Sequence, residues 1–403
     1  MALISFPRIL SSDIFRTGFI LSHAPKFVKI QSASITSKEN RDPNIKKPAP
    51  WPYETKKFTF MRAYFDSTVK RFDENTKIIV VDGNIGAGKT SFAKQLAEAF
   101  DMVYFPEPTM ESYFVSPYGY DLRKIDAILP PSYQCCDVST FYSNPYHQNV
   151  AKFQFRMYML RLEQYLDALA HVLNTGQGVV LERCAYGDFV FTEAMAKFGY
   201  LSPRVMKLYK DITKNTLEEL MRPHLIIYLD ISAEEALKRI KKRNDPIEVN
   251  SKVLTKEYLE AIEYFYKQRY LKNMEKHAEL LIYDWTHYGD IEVVVEDIER
   301  IDFERFTFYD SKMGDWRKEN DWEWSYFRRR YTNEKEIILN YGVIYRPSVE
   351  EVFHPGDEVE EFEKIMLKIP GEKYAEGFNS DAGDSVLFKL DPKSYWKTIR
   401  TRL

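Results

Sequence analysis

The sequence predicts an α/β fold: a parallel five-stranded sheet with helices on both faces, plus an N-terminal strap and a mixed C-terminal extension. Three observations predict it. Short apolar runs rich in branched side chains recur between residues 78 and 284. Helical patterns separate them, and strands alternating with helices make parallel sheets. After the first run stands VDGNIGAGKTSF (81–92), which holds G-x-x-x-x-G-K-[ST] in full.

Taken in order, residues 1–38 carry Arg8, Arg16, Lys26, Lys29 and Lys38 against one acid, Asp13, and are rich in serine. That is the composition of a mitochondrial transit peptide, expected over 1–40, and no continuous apolar stretch supports a secretory signal. DPNIKKPAPWPYE (42–54) follows, and its prolines exclude a helix. Residues 41–76 therefore read as a linker or strap. The strand-like runs are IIVVD (78–82), MVYF (102–105), GVVLE (178–182), LIIYLD (225–230) and LLIYD (280–284). Helices are expected at SFAKQLAEAF (91–100), 151–174, 202–221, 232–243 and 256–277. The domain so built spans 77–299, and residues 300–403 form an extension.

In the glycine-rich loop, Gly83, Asn84, Gly86, Ala87 and Gly88 offer backbone N–H groups to phosphate oxygens. The helix beginning near Lys89 turns its positive end to the same anion. Lys89 reaches the outer phosphates, and the Thr90 hydroxyl suits Mg²⁺. In sheets of this kind ligands sit at the carboxyl ends of strands. Glu107, just past the second run in FPEPT, stands at such an end. It reads as a proton acceptor for a substrate hydroxyl or as a solvated loop glutamate, and position leaves both open. LERCAYGD places Glu182 and Arg183 at the end of the third strand, with Asp188 one turn on. A buried strand ending in Glu-Arg needs a partner for its charges: a metal-bound water and a phosphate, or each other. Gln154 and Arg161 share a face of the long helix, where spacing alone favours plain polarity. LKRIKKRND (237–245) is a basic cluster late on a helix, either a favourable C-terminal charge or a phosphate lid.

These pieces, in this order, resemble the deoxynucleoside kinase family over residues 77–290. The resemblance implies a P-loop kinase-like fold. It also implies that Glu107 is the general base and that Arg183 stands near the 5′ position. By the same resemblance Tyr142 and Glu248 hold the sugar hydroxyl, and Phe153 and Gln154 stack on and read the base, supported by Arg161 and Asp188. Arg239 and Arg243 are the lid, and Thr90 with Glu182 serves Mg. The chain departs from the family pattern in several places. Cys184 replaces the usual Ser, Ser112 and Tyr113 stand where a tryptophan is expected, and Asp245 and Pro246 follow the lid where a third arginine is usual. The segment between Pro108 and Tyr142 is long.

The presequence, GQGVVLERCAYGDFVFTEAM, PHLIIYLDIS and GFNSDAGD resemble one branch of that family. That branch is the deoxynucleoside-kinase-like accessory subunits of mitochondrial respiratory complex I. The resemblance implies a non-catalytic subunit peripheral to the inner membrane on its matrix side. It would have no role in electron transfer and would contact other subunits of the complex through the 300–403 extension and the strap. It implies a purine nucleotide, ATP or a deoxynucleotide, as ligand. FAD is attributed to this subunit type, yet no flavin fingerprint is present. The alternative is a working kinase that moves the ATP γ-phosphate to a nucleoside 5′-hydroxyl.

Composition agrees with this frame. The chain has 403 residues and a formal net charge of −3, which implies no general nucleic-acid affinity. Its three cysteines, Cys135, Cys136 and Cys184, have no zinc spacing and suit a reducing compartment. No apolar run approaches the roughly 20 residues of a membrane span. In the extension, DWRKENDWEWSYFRRRYTNEKEIILNY (315–341) concentrates Trp, Tyr and Arg, the residues of interface hot spots. Its aromatics are spread around a helix, so more than one surface must cover them.

Overall fold

A computed structural model of the chain describes residues 34–41, 47–115, 119–307, 309–342 and 349–369. The presequence expectation for residues 1–33 and the GFNSDAGD tail lie outside the described residues.

The five expected strands form one parallel sheet. They are β1 (Ile78–Gly83), β2 (Val103–Phe105), β3 (Val179–Glu182), β4 (Leu225–Asp230) and β5 (Glu279–Asp284), in the order β2-β3-β1-β4-β5. β1 and β3 are buried along their whole length, as continuous apolar runs covered on both faces must be. The register sets Val81 beside Glu182 and Asp82 beside Tyr228. Three neighbouring strands, β1, β3 and β4, therefore bring Asp82, Glu182 and Tyr228 toward one edge of the layer. The helix Val150–Thr175 runs beneath them, and Tyr158, Leu162, Tyr165 and Leu169 are sealed in the core.

Two expected helices differ. The helix predicted over 256–277 breaks into Lys256–Phe265, a π turn Tyr266–Tyr270, and Leu271–Met274. The wider turn brings both Tyr266 and Tyr270 inward, and the Tyr266 hydroxyl donates to Asp82 Oδ1 at 3.2 Å. The helix predicted over 202–221 ends at Leu217. The long segment after Pro108 folds into 3₁₀ turns, Leu122–Ile128 and Pro131–Tyr133. A late helix, Gly356–Met366, packs on it through Tyr133, whose ring stacks on Phe362 and His354 at 4.0 and 4.1 Å.

Residues 34–40, within the expected presequence, pack against the fold. Ile35 is in the core, Thr36 exchanges hydrogen bonds with Asn75, and the Ser37 N–H donates to Glu299 at 2.7 Å. A cut after residue 40 would remove a buried side chain.

The strap crosses the end of the long helix, where the Trp51 N–H donates to the Asn174 carbonyl and Tyr53 meets His171. The helix Asp321–Asn333 locks it there. Asn333 pairs both ways with the Phe58 backbone, and Asp321 Oδ1 accepts from the Thr68 and Val69 N–H groups, each at 3.0 Å. Arg328, fully buried, bonds Asp66 and Asn174 and lies 3.8 Å over the Phe58 ring. Trp324 and Tyr331 face inward with it, while Trp322 and Tyr326 remain exposed. The chain itself therefore covers one side of this helix.

Candidate functional site

A cavity of about 650 Å³ opens at the carboxyl ends of β1, β2 and β3. Its floor is the glycine-rich loop. Gly88 has φ +87°, a region open to glycine, and a Cβ there would stand 2.9 Å from the Tyr288 ring. The helix Lys89–Ala99 starts at that turn and directs its first N–H groups at the cavity. Gly86, Gly88, Lys89 and Thr90 line it, whereas Gly83, Asn84 and Ala87 form the loop body behind. Asn84 fixes that body by donating to the Leu259 carbonyl.

Lys89 is buried, and its Nζ donates to the Asn84 carbonyl at 2.9 Å. Burial, then the neighbouring Arg183, pull its pKa down to about 7 against the opposing Glu107, Glu182 and Asp82. Thr90 Oγ1 donates to Glu182 Oε1 at 2.9 Å, and the Tyr104 hydroxyl holds Oε2 at the same distance. Thr90 and Glu182 are adjacent hard oxygen donors of the kind Mg²⁺ accepts. Among the described residues no cluster of three or more His, Cys, Asp or Glu forms a metal site. The pair fits Mg²⁺ only as a partial shell, completed by phosphate and water.

Above the loop, Glu107 is gripped from two sides. Arg161 Nη2 meets one carboxylate oxygen at 2.5 Å, and Arg183 Nε meets the other at 2.9 Å. Burial pushes the Glu107 carboxyl up, but Arg183, Arg161 and Lys89 together outweigh it and hold it at about 2. Arg183 sits at φ 62°, a costly conformation for a non-glycine residue. Its surroundings fix it there: Glu107, the Tyr266 hydroxyl at 2.5 Å, and the Phe191 ring at 4.6 Å. Asp188, fully buried, receives Arg161, the Gln154 amide at 2.9 Å and the Tyr209 hydroxyl at 2.5 Å. Gln154 Nε2 also donates to Thr192 at 3.0 Å, so both of its N–H groups are taken. Arg161 Nε–H is buried with no protein partner.

Phe153 and Tyr142 complete the wall. Burial, then the Glu248 and Glu107 carboxylates, raise the Tyr142 hydroxyl well above its ordinary range. Glu248 lines the cavity too, but its carboxylate is held by Arg243 Nη2 at 2.5 and 2.6 Å. Asp245 caps the short helix Pro246–Val249 by accepting from the Ile247 N–H. Arg239 does not line the cavity. Its guanidinium is bonded to the carbonyls of Ala87, Trp285 and Thr286, behind the loop. Arg239, expected at the phosphates, is thus held by carbonyls of the glycine-rich loop and of the loop after β5.

The structure thus brings Glu107, Gln154, Arg161, Arg183 and Asp188 into one bonded network, with Glu182 beside it on Thr90 and Tyr104. Sequence reasoning missed Asp82, Tyr104, Phe191, Tyr209 and Tyr266, which complete it. Tyr104 and Asp82 carried a weak signal, as polar groups on buried strands. The other three did not, since their positions depend on packing between distant helices.

Comparison with known proteins follows this geometry. The deoxynucleoside kinase family matches residues 79–315. NADH dehydrogenase [ubiquinone] 1 alpha subcomplex subunit 10 of Mus musculus is 37% identical over 327 residues, covering 80% of this chain and 86% of that one. Its Bos taurus counterpart is 35% identical, covering 80% and 90%. A deoxyguanosine kinase of Dictyostelium discoideum is 28% identical over 241 residues, covering 59% and 74%. A solved deoxyadenosine kinase of M. mycoides with bound dATP is 22% identical with a TM-score of 0.42, covering 55% of this chain and 98% of that one. By the span of the family match and by its subunit 10 relatives, this chain belongs to the deoxynucleoside kinase family.

Proposed function

We propose that this chain is a non-catalytic accessory subunit of mitochondrial respiratory complex I that keeps a nucleotide pocket. It is peripheral on the matrix side of the membrane arm and supports assembly and stability of the complex. One observation carries the reading. The subunit 10 relatives match over 327 residues, well beyond the 79–315 span shared with kinases. No helix among the described residues is long and apolar enough to cross a membrane, which suits peripheral attachment.

The pocket geometry supports the same reading. The cations lining the cavity, Lys89, Arg123, Arg161, Arg183 and Arg243, all have protein partners. Glu107, held at about 2, is a weak proton acceptor near neutral pH. The pocket takes a purine nucleotide, ATP or a deoxynucleotide, with phosphates on Gly86, Gly88, Lys89 and Thr90. Phe153 stacks on the base, and Gln154 Oε1 reads its edge, with Arg161 and Asp188 in support. When bound, Mg²⁺ neutralises phosphate charge beside Thr90 and Glu182.

The retained Lys89, Thr90, Glu107 and Arg183 favour a second reading, an active mitochondrial deoxynucleoside kinase. Native electrophoresis of gently solubilised mitochondria separates the two. Co-migration of this chain with the large NADH dehydrogenase, with no ATP-dependent phosphorylation of deoxynucleosides by the purified chain, is the expected result. A free monomer or dimer whose phosphorylation activity disappears in Lys89→Ala establishes the kinase instead.

A further inference from the structure

An aromatic platform stands on the surface away from the nucleotide cavity. Phe60, Met61, Tyr64 and Phe65 come from the strap, and Trp322 comes from the helix Asp321–Asn333. All five are exposed, Phe65 at 83% of its full surface. Phe60, Tyr64 and Trp322 are assembled rather than scattered, with Met61 and Phe65 next to them in the chain. Phe60 stacks on Trp322 at 5.7 Å between ring centres, Tyr64 meets Trp322 edge-on at 4.6 Å, and Phe60 meets Tyr64 edge-on at 5.5 Å. Leaving such rings in water forgoes the gain of burying them, so a contiguous set of them marks an interaction site.

Three observations say what covers it. Every one of these residues lies outside 79–315, the span shared with the kinases, in additions a phosphoryl-transfer fold does not need. The strap side of the rim is basic: Lys56, Lys57 and Arg62 are exposed, and no acid occurs from residue 55 to 65, while Asp321 and Glu323 flank Trp322 on the helix side. The next acid along the strap, Asp66, is buried and tied to Arg71 and Arg328, with Arg62 Nε 3.8 Å away. The backing is rigid, because Phe58, Asp66 and Thr68 are anchored to Asn333, Arg328 and Asp321. Rigid aromatics with arginine at the edge form protein–protein hot spots, since little side-chain entropy is lost on contact.

We infer that this platform docks the chain onto a protein partner whose surface is apolar at its centre and acidic where it meets the strap. The inference rests on the accessory-subunit reading and names the surface through which that subunit attaches.

The test reintroduces the full chain, or its Phe60→Ser/Phe65→Ser double variant, into cells lacking it, followed by native electrophoresis. Wild-type co-migration with the large complex tests the accessory-subunit reading, and its absence overturns reading and platform together. With wild type in the complex, the double variant is expected to lose most of its co-migrating fraction, on the order of tenfold. Its unfolding midpoint and its stabilisation by ATP are expected to stay unchanged, because the altered rings are exposed. A double variant that co-migrates like wild type overturns the platform and leaves the accessory role standing. Lys56→Glu/Lys57→Glu is expected to weaken association in the same direction, most at low salt. A photoreactive phenylalanine analogue at position 65 identifies the occupant. A crosslink to another protein of the complex supports the inference. A crosslink to lipid, or to this chain's own residues beyond 369, overturns it.

Discussion

Two guanidinium groups, of Arg161 and Arg183, close on the Glu107 carboxylate. These ion pairs stabilise the fold fully above the ordinary carboxylate range, and that contribution is lost as pH falls toward about 2. The neighbouring Lys89 behaves oppositely. Its pKa of about 7 means that phosphate binding must draw a proton onto it at higher pH. Nucleoside triphosphate affinity, measured by calorimetry, is therefore expected to fall as pH rises through neutrality, by up to roughly tenfold per pH unit. Lys89→Met should flatten that dependence. Asp188 gathers three donors in a dry site. Asp188→Ala leaves the buried Arg161 charge short of a partner and is expected to cost about 3 kcal/mol, read from denaturant unfolding. Glu182 and Arg183 were legible in the sequence as charges at a buried strand end. Their actual partners, Tyr104 and Tyr266, were not, because no spacing rule links residues from different elements.

At the level of elements, the sheet was the most legible part. Runs such as IIVVD and LIIYLD have no polar face and fit only a strand covered on both sides. The break at Tyr266–Tyr270 was hidden, since YKQRY continues a helical pattern and only the contact with Asp82 shows why the turn widens. The seat of residues 34–40 was hidden for a related reason. Composition reports the basic, serine-rich character of a stretch and says nothing of whether Ile35 finds a core. Ile35→Ala is expected to destabilise the protein by about 3 kcal/mol, as for other buried aliphatic truncations. N-terminal sequencing of the mature chain from mitochondria should find a start at or before residue 34. A start at residue 41 would mean that this seat is empty in the working protein. The lid taught the converse lesson. LKRIKKRND announced its charge correctly, but the loop after β5 captured Arg239 and Glu248 captured Arg243.

In the whole molecule, a nucleotide-binding body is bracketed by a strap and an extension that hold each other. Asp321 caps the turn at Thr68, Asn333 pairs with Phe58, and Arg328 reaches Asp66. The aromatic platform is shared between these two additions, and its parts lie more than 250 residues apart in the chain. This separation sets an order of events in time. A chain still emerging from the ribosome, or still threading through an import channel with its C-terminal end leading last, lacks Trp322 and the backing that holds Phe60 in place. Attachment must then wait for synthesis to finish, and an interrupted chain carries no valid pass for incorporation. Pulse-labelled chains are accordingly expected to reach the large complex only at full length, and shorter labelled fragments running in that band would contradict the proposed order.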